Sequence, residues 1–348
     1  MALGYTTFSR RDEILTIYDI AKLAGVSAST VSRVVNGKPG VKPKTVNKVR
    51  KLLDQYEFQL NVNAQSLSTK VTQMVGLLIA DVRNAHYTEL AYAVETHLLR
   101  SGYCTIIVNS GEETDGMKSS IQMLRQRKVD GVIMIGSIFQ NDVVSQAITH
   151  FLSDVPVVIA NGYLDKENVY GVLADEYQGV QKCVELLYER RYRHVAFIGK
   201  KNTVSNRQKA EGYKNAVISR GEPLREIELH TSTLMEVDYQ PLKELLRLYP
   251  ETDAIIFSND YLACEATGFF GARQIAVPEQ MGLVGINNDR YCNISCPQIT
   301  TLDNKMAEMG LMVATTLVDV LNGKPKAKRV MILSEIIERQ SIRKEVRI

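Results

Sequence analysis

Ser27, Ala28, Ser29, Thr30, Ser32 and Arg33 stand in one short run and have the side chains needed to read a nucleic-acid edge. Small side chains let a backbone come close to base edges. Hydroxyls donate to phosphate oxygens, and a guanidinium can give two parallel hydrogen bonds to guanine O6 and N7. That chemistry needs a helix laid in a groove, and the flanking residues supply one. Ile17, Ile20, Ala21 and Ala24 recur at helical spacing. Gly25 tolerates the positive φ that stops a helix, and Ser27 is placed to cap the next one. In that second helix Val31, Val34 and Val35 turn inward, while Ala28, Ser29, Ser32 and Arg33 turn outward. Spacing alone also fits a plain structural hairpin; the small polar residues and the arginine favour a helix-turn-helix.

A turn at residues 36–40 leads to a third helix expected from Pro43 to Tyr56, striped by Val46, Val49, Leu52 and Leu53. Its exposed cations, Lys42, Lys44, Lys48, Arg50 and Lys51, suit phosphate contacts that fix register without reading sequence. Charge is concentrated accordingly. Residues 1–70 hold 11 Lys/Arg against 5 Asp/Glu, so of the total +3 they carry +6 and the rest carries −3. A basic module on a mildly acidic body fits nucleic-acid binding through the first part only. Residues 1–15 read as a loose extension in which Arg10 and Arg11 are candidate phosphate contacts.

The 348 residues allow two or three domains, and 45% hydrophobic with 23% charged residues is an ordinary soluble composition. From Met74 the pattern changes to apolar runs alternating with amphipathic helices such as 88–101 and 116–127. The runs cover 75–81, 103–109, 130–136 and 155–161, then 193–199, 227–232, 253–260 and 281–288. Near-continuous apolar runs are expected for parallel strands buried on both faces, and the repeat predicts two doubly wound α/β units in series.

Enzyme signatures are missing: the sequence holds no G-x-G-x-x-G, P-loop, H-E-x-x-H or G-x-S-x-G. His86, His97, His150, His194 and His230 are scattered. Five cysteines, an odd number at scattered positions, argue against a disulfide framework, and Cys292-x3-Cys296 has no histidine or third cysteine nearby in sequence. No enzyme, cofactor or metal is expected. The sequence shows no leader and no apolar run approaching about 18 residues, so a cytoplasmic protein is expected, neither exported nor membrane-spanning.

The run from Asp19 to Gly37, DIAKLAGVSASTVSRVVNG, resembles the headpiece of the lactose-repressor family nearly position for position. The resemblance continues in N-x-x-Y-x-E-L from Asn84, K-V-D-G-V-I from Lys128, E-G-Y from Glu211, S-N-D from Ser258, V-P-E-Q-M-G-L-V-G from Val277 and P-Q-I-T-T-L from Pro297. It ends in the closing run 336–343 and so spans about residues 16 to 345. It implies a helix-turn-helix headpiece (16–60), a hinge helix (61–72) and an effector and dimerisation domain (73–348). That domain has two Rossmann-like subdomains of periplasmic-binding-protein type I architecture, divided as 73–171 with 302–332 and 172–301 with 333–348.

DNA contacts are implied for Tyr18, Ser27, Ala28, Ser29, Thr30, Ser32, Arg33 and Asn36, with Arg33 and Ser29 on bases and Thr30 and Ser32 on phosphates. In the hinge they are implied for Asn61, Ala64, Gln65 and Leu67, the leucine wedging into the minor groove and kinking the duplex. The hinge departs from the family pattern at Leu60, Asn63 and Gln65.

Ligands of open α/β sheets sit beyond the carboxyl ends of the strands. Those ends carry the effector candidates Tyr87, Ser137, Asn161, Asn259, Asp260 and Asn287; Lys209, with Arg207 beside it, joins them through the resemblance. At Asn161, Lys209 and Asn287 the family more often has an acid, an arginine and an aspartate, so the ligand does not carry over. A neutral sugar, a sugar phosphate or a nucleobase are all compatible. The sequence therefore predicts a regulator of a carbohydrate-utilisation operon, most simply a repressor. It would bind double-stranded operator as a homodimer, with a tetramer open, and respond to a small-molecule effector. The run 36–45, NGKPGVKPKT, also resembles catabolite control proteins that answer to a phosphocarrier protein. A solute-binding receptor would explain the α/β body but leave residues 16–70 unexplained.

Overall fold

The computed structural model describes residues 15–35, 37–56 and 71–344. The chain divides into two compact units, Met1–Thr72 and Gln73–Ile348. In the first, α1 (Ile17–Ala24) opens with a reciprocal cap that the sequence reading overlooked. The Thr16 N–H donates to Asp19 Oδ2 at 2.8 Å, and the Asp19 N–H donates back to Thr16 Oγ1. Gly25 takes the left-handed conformation at φ 68° and ends the helix. The α2 helix (Ala28–Val35) begins at Ser27, whose Oγ accepts from the Thr30 N–H at 3.3 Å. The third helix, α3 (Pro43–Gln55), packs against both. Among the described residues, Ile20, Ala21, Ala24, Val31, Val34 and Val49 form a core of six buried side chains. A core this small leaves a marginal module in which each cap matters.

The second unit holds two six-stranded sheets. Strands β1 (Met74–Ile79), β2 (Cys104–Asn109), β3 (Gly131–Ile135), β4 (Val157–Ala160) and β5 (Val169–Ala174) belong to the first. Strands β6 (Val195–Gly199), β7 (Glu226–Glu228), β8 (Ala254–Phe257), β9 (Gly282–Ile286) and β10 (Thr300–Asp303) belong to the second. Then β11 (Arg329–Ile332) returns to the first sheet and β12 (Glu335–Ile337) to the second. The orders β11-β5-β4-β3-β1-β2 and β12-β10-β9-β8-β6-β7 repeat one another. Among the described residues every pairing is parallel except β10 with β12. Each half thus starts at a central strand, adds its neighbour on one side and then builds outward on the other. That reversal of direction opens a crevice beside β1/β3 and again beside β6/β8.

The chain passes between the halves after β5, after β10 and after β11. The first two passages fall after Ala174 and after Asp303, a little beyond the positions near 172 and 301 expected from the sequence, because β5 and β10 each run on past them. Two strands also differ from the apolar-run reading. The run at 227–232 yields only β7, Glu226–Glu228. Strand β2 lies at a sheet edge and is half-exposed, so its apolar run is not buried on both faces.

Candidate functional site

The crevices of the two halves merge into one cleft of about 640 Å³. Its first wall grows from the carboxyl ends of β1, β3 and β4. Asn84 caps the helix Ala85–Arg100 by accepting from the His86 N–H at 3.0 Å, which brings His86 and Tyr87 to the cleft. The Tyr87 ring lies over Gly136, where an added Cβ would come within 3.1 Å of Tyr87 Cε1; Gly136 also holds φ 109°. A side chain at position 136 would displace the ring. Burial pushes the Tyr87 phenol up to about 12. Burial, followed by the charge of Lys209, pushes His86 down to about 3, so its imidazole is neutral. His86 Nδ1 is buried and has no hydrogen-bond partner. Asn161, at φ 55°, spends its Oδ1 on the Ala174 N–H and leaves its amide –NH2 as the end it can offer a ligand.

The second wall grows from β6, β8 and β9. Thr203 caps the helix Val204–Ile218, which presents Ser205 and Lys209 one turn apart. The Ser205 N–H donates across the cleft to Ser137 Oγ at 3.2 Å. Lys209 Nζ donates to the Ser258 carbonyl at 3.1 Å and lies 3.2 Å from Glu176 Oε1, both side chains being almost wholly buried. Asn304 Nδ2 donates to Glu176 Oε1 at 3.1 Å and to Asn287 Oδ1 at 3.0 Å, and Ser334 Oγ donates to Asn304 Oδ1 at 2.8 Å. Glu176, Asn304 and Ser334 each follow one of the three passages between the halves. The floor of the cleft and the connections beneath it are therefore one buried polar network.

Of the effector candidates, Tyr87, Ser137, Asn161, Lys209, Asn259 and Asn287 line this cleft. Two do not. Arg207 is exposed and donates to the Lys201 carbonyl at 3.2 Å, because two residues of helix turn it about 200° away from Ser205 and Lys209. Asp260 is wholly buried and accepts from Thr301 Oγ1 at 2.5 Å and from the Asp289 N–H at 2.9 Å, so it ties strand ends together below the wall. Glu112, Lys200, Tyr261, Asp289 and Tyr291 line the cleft but were missed, as was Glu176 beneath it. Asp289 was within reach of the strand-end rule, standing two residues past Asn287. Burial and then the Asp260 charge push the Asp289 carboxyl up to about 7.

In the first unit Tyr18, Ser27, Ser29 and Arg33 are exposed, and Ala28, Thr30 and Ser32 are half-buried. Ser27 Oγ lies 2.8 Å from Ser29 Oγ and 2.9 Å from Thr30 Oγ1, a hydroxyl cluster at the start of α2. The Arg33 guanidinium passes beside Gly40, where a Cβ would stand 3.1 Å from Nη1. Lys42, Lys44, Lys48, Arg50 and Lys51 are all exposed. Asn36 and the hinge candidates Asn61, Ala64, Gln65 and Leu67 lie outside the described residues.

Residues 16–61 match the family described as bacterial regulatory proteins, lacI family, and residues 184–342 match a periplasmic binding protein-like domain. The chain thus carries a lacI-family helix-turn-helix domain and a periplasmic-binding-protein-like domain, and its relatives are regulators of that family. It is 28% identical over 331 residues to an HTH-type transcriptional regulator of Lachnoclostridium phytofermentans, covering 94% of this chain and 99% of the relative. It is 29% identical to catabolite control protein A of Priestia megaterium, again over 94% of this chain and 99% of the relative. The lac repressor dimer bound to operator and the anti-inducer ONPF has the same fold, at a TM-score of 0.84 and 20% identity over 95% of this chain and all of that one. These relatives are transcriptional regulators, a non-enzymatic family. Among the described residues no helix is long and apolar enough to cross a membrane.

Two predictions follow from the charges of the cleft. Lys209→Met leaves Glu176 buried without its counter-charge and should lower unfolding stability by about 3–5 kcal/mol; Lys209→Met with Glu176→Gln should recover part of the loss in urea titrations. Asp289 has a folded-state pKa above its ordinary 3.8, so its protonation supports folding at low pH and that support is lost as pH rises through about 7. Asp289→Asn keeps the neutral shape; it should match the parent near about pH 4 and be more stable by about 1–3 kcal/mol near about pH 8. Urea midpoints at the two pH values read the difference.

Proposed function

We propose that the chain is a cytoplasmic repressor that binds a pseudo-palindromic operator as a homodimer and releases or holds it in response to a polyhydroxylated, sugar-like effector. The cleft carries this reading. One wall is tied through Lys209 and Asn287 to the buried network at the three passages, and the Ser205 N–H reaches Ser137 on the other, so a ligand touching both walls changes the free energy of their relative angle. Tyr87 offers a flat apolar face to a sugar ring. Asn161 and Asn287 have their carbonyl oxygens engaged within the protein, which leaves amide donors for hydroxyl oxygens. Tyr92 and Leu99, seven residues apart on helix Ala85–Arg100, are 71% and 64% exposed and suit a second copy of the chain. Two copies present two α2 helices to half-sites about one helical turn apart.

In this reading Arg33 and Ser29 read bases, Thr30 and Ser32 hold phosphates, and Leu67 wedges the minor groove between the half-sites. Effector and operator are coupled through a change of state in the dimer. The coupling is reciprocal: operator must alter effector affinity by the same factor by which effector alters operator affinity. A protein co-regulator is the second reading, favoured by the run 36–45 and by the likeness to a catabolite control protein.

Arg33→Ala should abolish preference for the operator in gel-shift assays while leaving weak, salt-sensitive binding to any duplex, because the phosphate contacts persist. Retained preference would place the reading residue elsewhere. A thermal-shift screen of sugars, sugar derivatives and nucleobases should return a ligand that raises the melting temperature by mass action and alters operator binding. No shift across the library would instead support the protein co-regulator.

A further inference from the structure

The charges lining the cleft are unequally matched. Arg83 is held by Asp81 at 2.8 Å, Lys209 is neutralised from below by Glu176, and Lys200 Nζ donates to Ser232 Oγ at 3.0 Å. Among the described residues, Glu112, Glu236 and Asp289 line the same cleft with no cation at ion-pair distance. Asp289 is only 8% exposed. One of its carboxylate oxygens accepts from the Tyr291 N–H at 2.9 Å, and its carboxylate approaches that of Asp260 within 4.8 Å. Two buried carboxylates so close call for a positive charge or a proton. The rings of Tyr261 and Tyr291 stand in the same wall, edge to face with centroids 5.2 Å apart.

We propose that the effector carries a protonated amine on a polyhydroxylated frame, as amino sugars and aminopolyols do, and that its ammonium docks on Asp289 beside Tyr261 and Tyr291. This rests on the effector-cleft reading and narrows it. An ammonium gives Asp289 a charge-assisted hydrogen bond, draws on the adjacent aromatic rings and relieves the repulsion from Asp260. The hydroxyls of the same frame meet the amide donors of Asn161 and Asn287. A sugar phosphate gains none of this. Its charge would meet the unpaired carboxylates; the buried Lys209 is already committed to Glu176, and Lys200, the remaining cation of the lining, is turned to Ser232.

The test is calorimetric titration of the full-length protein with matched probes: D-glucosamine, D-galactosamine and D-mannosamine, each against its parent hexose, its N-acetyl derivative and its 6-phosphate. In at least one set the amine should bind about tenfold or more tightly than the parent, with the N-acetyl and phosphate forms weaker. Asp289→Asn should erase that preference, so that in the variant the amine binds no more tightly than its parent hexose. The N-acetyl comparison uses the unmodified protein and so does not depend on the variant folding. Neutral members binding as tightly as the amines in every set, or a non-amine as the sole ligand in the wider screen, would overturn the amine and spare the effector cleft. Absence of binding in both experiments would overturn the two together.

Discussion

The buried ion pair between Lys209 and Glu176 is the interaction on which the body of this protein is arranged. A lysine and a glutamate removed from water are costly, and their attraction offsets that cost only when the remaining donors and acceptors are satisfied. Here the partners come from all three passages between the halves. Glu176 follows the first, Asn304 the second and Ser334 the third, while Lys209 and Asn287 bring in the cleft wall. Glu176 Oε2 has no hydrogen-bond partner, so the network is not fully saturated. Any change in the angle between the halves must bend these three connections and so disturb the same network. That ties the cleft to the relative angle of the two halves.

The same pair sets the electrostatics of the site. Lys209, held from below, has its charge matched, and the three unpaired carboxylates of the lining outnumber Lys200. His86 and Tyr87 are kept neutral by burial and serve as hydrogen-bonding and stacking surfaces with no charge of their own. Asp260 and Asp289 face each other where one strand end must be tied to the next, and the repulsion between them is relieved by a proton or a bound cation. Stability is given up here in the lining of a cleft, and strained or mismatched groups commonly cluster at functional sites.

The headpiece follows a different economy. Six buried side chains hold three short helices, so local devices contribute a large share of its stability. The Thr16–Asp19 cap, the left-handed Gly25 and the hydroxyl cluster at Ser27 each satisfy backbone groups that so small a core cannot shield. The outer face of α2 contributes no residue to that buried core, which leaves room there for small polar residues and an arginine.

By itself the sequence determined everything governed by local periodicity. The helix-turn-helix was legible because a glycine stop, a serine cap and a valine stripe act within a few residues of one another. The repeated α/β pattern was legible because strands buried on both faces are apolar throughout. The strand ends named most of the cleft for the same reason, since a parallel sheet places its ligand there. What only the tertiary structure decided were directions and partners. Whether Arg207 or Lys209 faces the cleft depends on helix rotation against a sheet. Asp260 was drawn into the floor by Thr301, far along the chain, and Asp289 was carried to the wall instead. Glu176 gave no signal in sequence, because a carboxylate beside a capping aspartate looks like any other helix start. Its role as the counter-charge to Lys209 exists only once the chain has crossed between the halves and folded the two residues onto each other.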